Sequence, residues 1–110
     1  MVGRQGSDWE GNNRMSEINV VAHIHARPGN HELVGSELEK MIAPTRAEPG
    51  CKQYDLMTDI NDPCHFVFFE TWDSSESHQK HMDSSHVAAF VVACKGRIGG
   101  SSIYHLDKRG

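Results

Sequence analysis

The sequence predicts an α+β fold with the ferredoxin-like order β-α-β-β-α-β in a single domain. Alternating apolar residues mark the strands, and three- and four-residue spacings mark the helices between them. Pro, Gly, Asn and Asp sit at the joins. At 110 residues the chain suits one domain with one core.

Residues 1–15 are polar and Gly/Asn-rich without periodicity, and read as a flexible leader to a domain spanning 16–110. From Glu17 to Ala26 the pattern alternates. Ile18, Val20, Ala22 and Ile24 fall on one face, and Val21, His23 and His25 on the other. Arg27-Pro28-Gly29-Asn30 breaks this strand, and Asn30 is a suitable N-cap. Leu33, Val34, Leu38, Met41 and Ile42 predict an amphipathic helix over 31–43, which Pro44 stops from continuing regularly. Glu48-Pro49-Gly50 turns into a strand from Cys51 to Ile60. Asn61-Asp62-Pro63 then turns into CHFVFFETW, so the two strands form a hairpin. Asp73 with Glu76 resembles a capping box for a helix running to Met82. Asp83-Ser84-Ser85 starts a second helical segment carrying Val87, Phe90, Val91 and Cys94, and Gly96 ends it. Ser102–Leu106 makes the last strand.

This order gives a four-stranded antiparallel sheet with helices on one face. An uncovered apolar sheet face marks an interface, so the expected assembly is a homodimer whose two sheets close into an α+β barrel.

The formal net charge is −4 and Lys and Arg are scattered, which argues against a nucleic-acid partner. No stretch approaches the roughly 18 apolar residues of a membrane span, nor does the N-terminal stretch have a signal peptide's apolar core. A cytoplasmic location is the resulting expectation. Cys51, Cys64 and Cys94 lack CxxC spacing and are expected to be free thiols in a reducing compartment. Eight histidines are the compositional anomaly, and His31, His65 and His105 are expected on the surface. His81-x4-His86 straddles a helix break with no carboxylate motif beside it, so no metal site is expected.

Four segments carry a family resemblance: VVAHIHARPGN, IAPTRAEPGCKQYDL, FVFFETWDSSESHQKHM and SSHVAAF. In this order and spacing the chain resembles the antibiotic-biosynthesis monooxygenase family, quinol monooxygenase-like, over roughly residues 17–106. The resemblance implies a dimeric α+β barrel with a pocket between helices and sheet in each subunit. Well-studied members oxidise quinols or polyketide phenols with molecular oxygen and no flavin, haem or metal. Others degrade haem, isomerise small phosphorylated sugars or have no known substrate. The haem-degrading branch uses a first-strand Asn and a last-helix His; VAHIHA and VAAFVVAC have neither.

By this resemblance Trp72 lines the pocket, sharing a strand face with Phe68 and Glu70. An indole there can stack an aromatic ring and donate its N–H, or simply pack the core. Tyr54, in the EPGC…Y motif, can bond a phenolic oxygen or be structural. His81 and His86 match positions commonly histidine in quinol monooxygenase-like members. Cofactor-free oxygenation needs a base to make a phenolate, and imidazole suits neutral pH. His78 lies three before His81 on the same helix face. His23 is a candidate hydrogen-bond partner in the pocket, and Phe90 with Phe68 and Trp72 would shape an apolar slot. The expected activity is oxygenation of a small aromatic diol, quinol or polyketide-like phenol. The alternatives are a sugar-phosphate isomerase, which would need cations such as Arg46 in the pocket, and a non-enzymatic ligand-binding or stress-response barrel.

Overall fold

The alternating apolar residues of the first segment form strand β1 (Ile18–Ala26), with Ile18, Val20, Ala22, Ile24 and Ala26 all buried. Our computed structural model describes residues 16–110, so the expected leader lies outside the described residues. After β1 come helices α1 (His31–Glu39) and α2 (Ile42–Arg46), strands β2 (Cys51–Asp59) and β3 (Asp62–Trp72), helices α3 (Ser75–Met82) and α4 (Ser85–Ala93), and strand β4 (Ile98–Leu106). The four strands form one antiparallel sheet in the order β2-β3-β1-β4, the expected ferredoxin-like α+β arrangement.

Three local details depart from the sequence expectation. The helix expected over 31–43 ends at Glu39, and a separate turn of helix, α2, carries Pro44 at its third position. Proline is harmless there because first-turn amides have no intrahelical acceptor. The cap of α3 is Ser74, not Asp73: the Ser74 hydroxyl accepts from Ser77 N at 3.1 Å. Asp73 instead accepts from the Ser77 hydroxyl at 2.6 Å. Strand β4 starts at Ile98, four residues before the expected Ser102, because Ile98 and Gly100 still pair with Ala26 and His25 at the end of β1.

The inner sheet face meets α1 and α3 around Val20, Val34, Leu38, Phe68 and Trp72, each almost wholly buried. The register places Trp72 opposite Ile18, Phe68 opposite Ala22, and Glu70 opposite both Val20 and Tyr54. All of these point inward. On the other face Phe69, Tyr104, Leu106 and Met57 are about half exposed, so the apolar surface expected to be left open is open in the chain.

That outer face also holds a histidine stack, which corrects one expectation. His65 is half-buried rather than on the surface, lying parallel to His25 at 4.3 Å and to His23 at 5.1 Å between ring centroids. The ring of His23 stacks on this face, with Nδ1 2.8 Å from His65 Nε2, while the residue also borders the cavity on the inner side of the sheet. Strand alternation is the reason: Ala22 and Ile24 take the inner side. Among the described residues no helix is long and apolar enough to cross a membrane. The cysteines are free.

Candidate active site

Between the inner sheet face and the helices lies a cavity of about 190 Å³. Ala22, Ile24 and Phe68 of the sheet form its floor, and Leu38 and Met41 close one side. Met82, Val87, Phe90 and Val91 from the α3–α4 region meet Ser101 and Ile103 of β4 around it. Tyr54, Glu70, His78 and His81 gather the polar atoms within an otherwise apolar wall. Among the described residues no Lys or Arg lines it. Arg46 lies elsewhere, its guanidinium spent on Tyr54 O at 2.9 Å and Asp55 Oδ1 at 3.2 Å.

The cavity collects most of the residues singled out from the sequence. Phe68 stacks on Tyr54 at 4.4 Å, and Phe90, His78 and His81 line the wall. Trp72 sits one layer behind. It is fully buried, 5.0 Å from the His81 ring, and its indole N–H donates to Glu70 Oε1 at 2.9 Å. His86 stands in a neighbouring hollow with Glu37, Lys40, Met41, Ala89 and Phe90.

Two carboxylates organise these rings. Glu48, in the turn before β2, accepts hydrogen bonds from His81 Nδ1 and His86 Nε2, both at 2.8 Å and both to Oε2. The carboxylate thereby fixes the His81 tautomer, leaving the lone pair on Nε2. In sequence Glu48 lies 33 residues from His81, and the fold brings it in from the far side of the β2–β3 hairpin. Glu70 lies on the inner face between Phe68 and Trp72, 3.8 Å from His78 Nε2.

Burial governs the charges. It pushes the Glu70 carboxyl up to about 7, with the Trp72 N–H pulling the other way and the charge of Glu48 adding to the rise. Burial pushes His78 down to about 4, helped by repulsion from His105 and His81. His81 is also lowered by burial, while its bond to Glu48 pulls it back up. Tyr54 is held well above the usual phenol range by burial and then by Glu70, so its hydroxyl stays protonated. The cavity thus contains two uncharged imidazoles and a neutral phenol at neutral pH.

Glu48 fits against α3 because Gly50 fits beneath it. Gly50 has φ +89°, and a Cβ there would fall 2.5 Å from Asp73 Oδ1 and closer still to the Ser77 hydroxyl. Its carbonyl accepts from Asp73 N at 2.9 Å, tying the turn to the start of α3.

The sequence profile of the antibiotic biosynthesis monooxygenase family matches residues 17–93, from β1 to the end of α4. The chain belongs to this family. The antibiotic biosynthesis monooxygenase match includes Glu48, Glu70 and the histidines of the cavity. Among similar proteins, Rv0793 of Mycobacterium tuberculosis is 37% identical over 71 residues, covering 64% of this chain and 69% of that one. Its solved structure superposes with a TM-score of 0.79 over 86% of this chain and 97% of that chain, at 27% identity. PA3566 of Pseudomonas aeruginosa gives a TM-score of 0.82 at 30% identity, over 88% and 98% of the two chains. YgiN of Escherichia coli, named a probable quinol monooxygenase, is 29% identical over 91 residues, covering 74% of this chain and 88% of that protein.

Proposed function

We propose that this chain is a monooxygenase that binds a small aromatic diol, quinol or polyketide-like phenol in the cavity and oxygenates it with O₂, without flavin, haem or metal. The observation that carries the reading is His81 in the cavity wall with Nδ1 held by Glu48. Nε2 is then the nitrogen that accepts a proton. The flat ring lies between Phe68 and Phe90, with a hydroxyl at the polar wall. His81 Nε2 takes the phenolic proton, and Glu48 stabilises the imidazolium that forms. The electron-rich phenolate reduces O₂ directly, so the substrate itself supplies the electrons. Tyr54, fixed in its protonated form, donates a hydrogen bond to the substrate's oxygen as charge builds there. The relationship to YgiN supports the quinol class, and an apolar wall to which no described Lys or Arg contributes disfavours a sugar phosphate. The working form is a homodimer joined through the open sheet face.

Oxygen uptake by chelator-treated protein with a panel of hydroquinones, menadiol among them, tests this. Uptake is expected to survive chelation and to fall by about 100-fold or more in His81→Ala, with KM changing less than kcat. If no diol is consumed faster than in the protein-free blank, the reading fails and a ligand-binding barrel takes its place.

A further inference from the structure

Orienting His81 requires one imidazole on Glu48, yet Glu48 holds two. His86 Nε2 donates to the same Oε2 as His81 Nδ1, and the three ligand atoms all lie within 4.8 Å of one another. Two imidazoles and one carboxylate are a donor set that first-row divalent ions favour. The group is sheltered: His81 is buried, while Glu48 and His86 are half-buried. It is also reachable, because His86 borders the hollow of about 230 Å³ beside α1. The cation in that hollow, Lys40, is paired with Glu37 at 2.8 Å.

We propose that Glu48, His81 and His86 form a three-ligand site for a divalent first-row ion such as Zn²⁺, and that its occupation switches off His81 as a base. The second half rests on the function proposed above; the first does not. Metal bonds of about 2.0–2.2 Å at a tetrahedral centre place donors about 3.3 Å apart. The Glu48 oxygen therefore backs off each nitrogen by about half an ångström, and the nitrogens draw together. Water completes the coordination.

The consequence for His81 follows from its tautomer. Metal-free, Nδ1 carries the proton and Nε2 the lone pair. Coordination uses the lone pair of Nδ1, so the proton moves to Nε2. Coordination through His86 Nε2 likewise leaves the proton of that ring on Nδ1. The nitrogen that accepted the phenolic proton has become a donor.

Co²⁺ titrated into metal-stripped protein tests the site through its visible ligand-field bands, with far-UV circular dichroism confirming that each variant folds. The expected result is saturation at one equivalent per chain and displacement by Zn²⁺. Affinity should fall by at least about tenfold in both Glu48→Gln and His86→Ala. Lack of saturation, or a folded Glu48→Gln that titrates like wild type, overturns the site. Quinol oxidation should fall over the same range of Zn²⁺ concentration that displaces Co²⁺, and recover on chelation. Activity that is unchanged or raised by bound Zn²⁺ overturns the switch. If metal-free protein oxidises no quinol, the functional reading has failed, and the Co²⁺ spectrum alone still decides the site.

Discussion

Glu70 and His78, 3.8 Å apart on the cavity wall, respond to pH in opposite directions. The folded carboxyl titrates near 7 against an ordinary 4.5, so the native state favours its protonated form. That contribution is complete below 4.5 and is lost as pH rises through 7. The folded imidazole titrates near 4 against 6.5, so its contribution is present above 6.5 and is lost as pH falls through 4. Between 4.5 and 6.5 the two offset each other in the wild type. Glu70→Gln removes one of them while keeping an acceptor for the Trp72 N–H. The stability of this variant relative to wild type should rise by up to about 3 kcal/mol from about pH 4.5 to about pH 7.5, measured by urea unfolding at fixed protein concentration. A difference that does not vary with pH would mean the carboxyl is not perturbed. Tyr54→Phe removes only the hydroxyl and keeps the stack on Phe68. For a diol, kcat should fall roughly tenfold with KM changing less, the worth of one hydrogen bond made as charge builds on the substrate, while the fold persists; steady-state kinetics with oxygen detection would show it.

At the scale of elements, the turn before β2 and the start of α3 act as one piece through Gly50. Gly50→Ala combines a positive φ with a clash against Asp73 and Ser77, and should cost about 2–3 kcal/mol. It should also lower activity beyond any loss of folded protein, because Glu48 moves with the turn. Thermal melting alongside kcat of the folded fraction separates the two effects. Ser74→Ala, which removes the α3 cap alone, should cost about 1 kcal/mol. These elements differed in how far the sequence revealed them. Alternation in β1 and β3 and the two-segment helix after Trp72 were legible, because burial on one face imposes a period. The family motifs gave the fold and most of the cavity residues. Glu48 was not legible as a partner of His81 and His86, since a carboxylate in a Pro-Gly turn ordinarily faces water. Only the docking of that turn on α3 brings the three together. Glu70 did leave a signal, a charged residue between Phe68 and Trp72 on an apolar strand face. For His23 the same alternation placed Ala22 and Ile24 inward, and strand parity alone sent its ring to the outer face.

At the scale of the molecule, the open sheet face predicts self-association. Phe69 lies on that face, 43% exposed, with Met57 on β2 and Tyr104 on β4 also half exposed. Phe69→Glu places a charge where a second sheet would pack, at a cost that buried interfaces do not tolerate. Wild type should sediment as a dimer and the variant as a monomer with unchanged far-UV circular dichroism; two dimers, or two monomers, would refute this interface. The strand order has a consequence in time. β1 is made first, yet both its neighbours, β3 and β4, are made later. At ~5–20 residues per second of synthesis, the central strand waits on the order of several seconds for its second edge to be filled. The local β2–β3 hairpin can form in the interval, and β1 can join it. Ser101 and Ile103, on the last strand, complete the wall of the cavity. A chain in which β4 has not yet docked therefore carries an exposed central strand and half a pocket, and neither substrate capture nor chemistry can begin before that strand is in place.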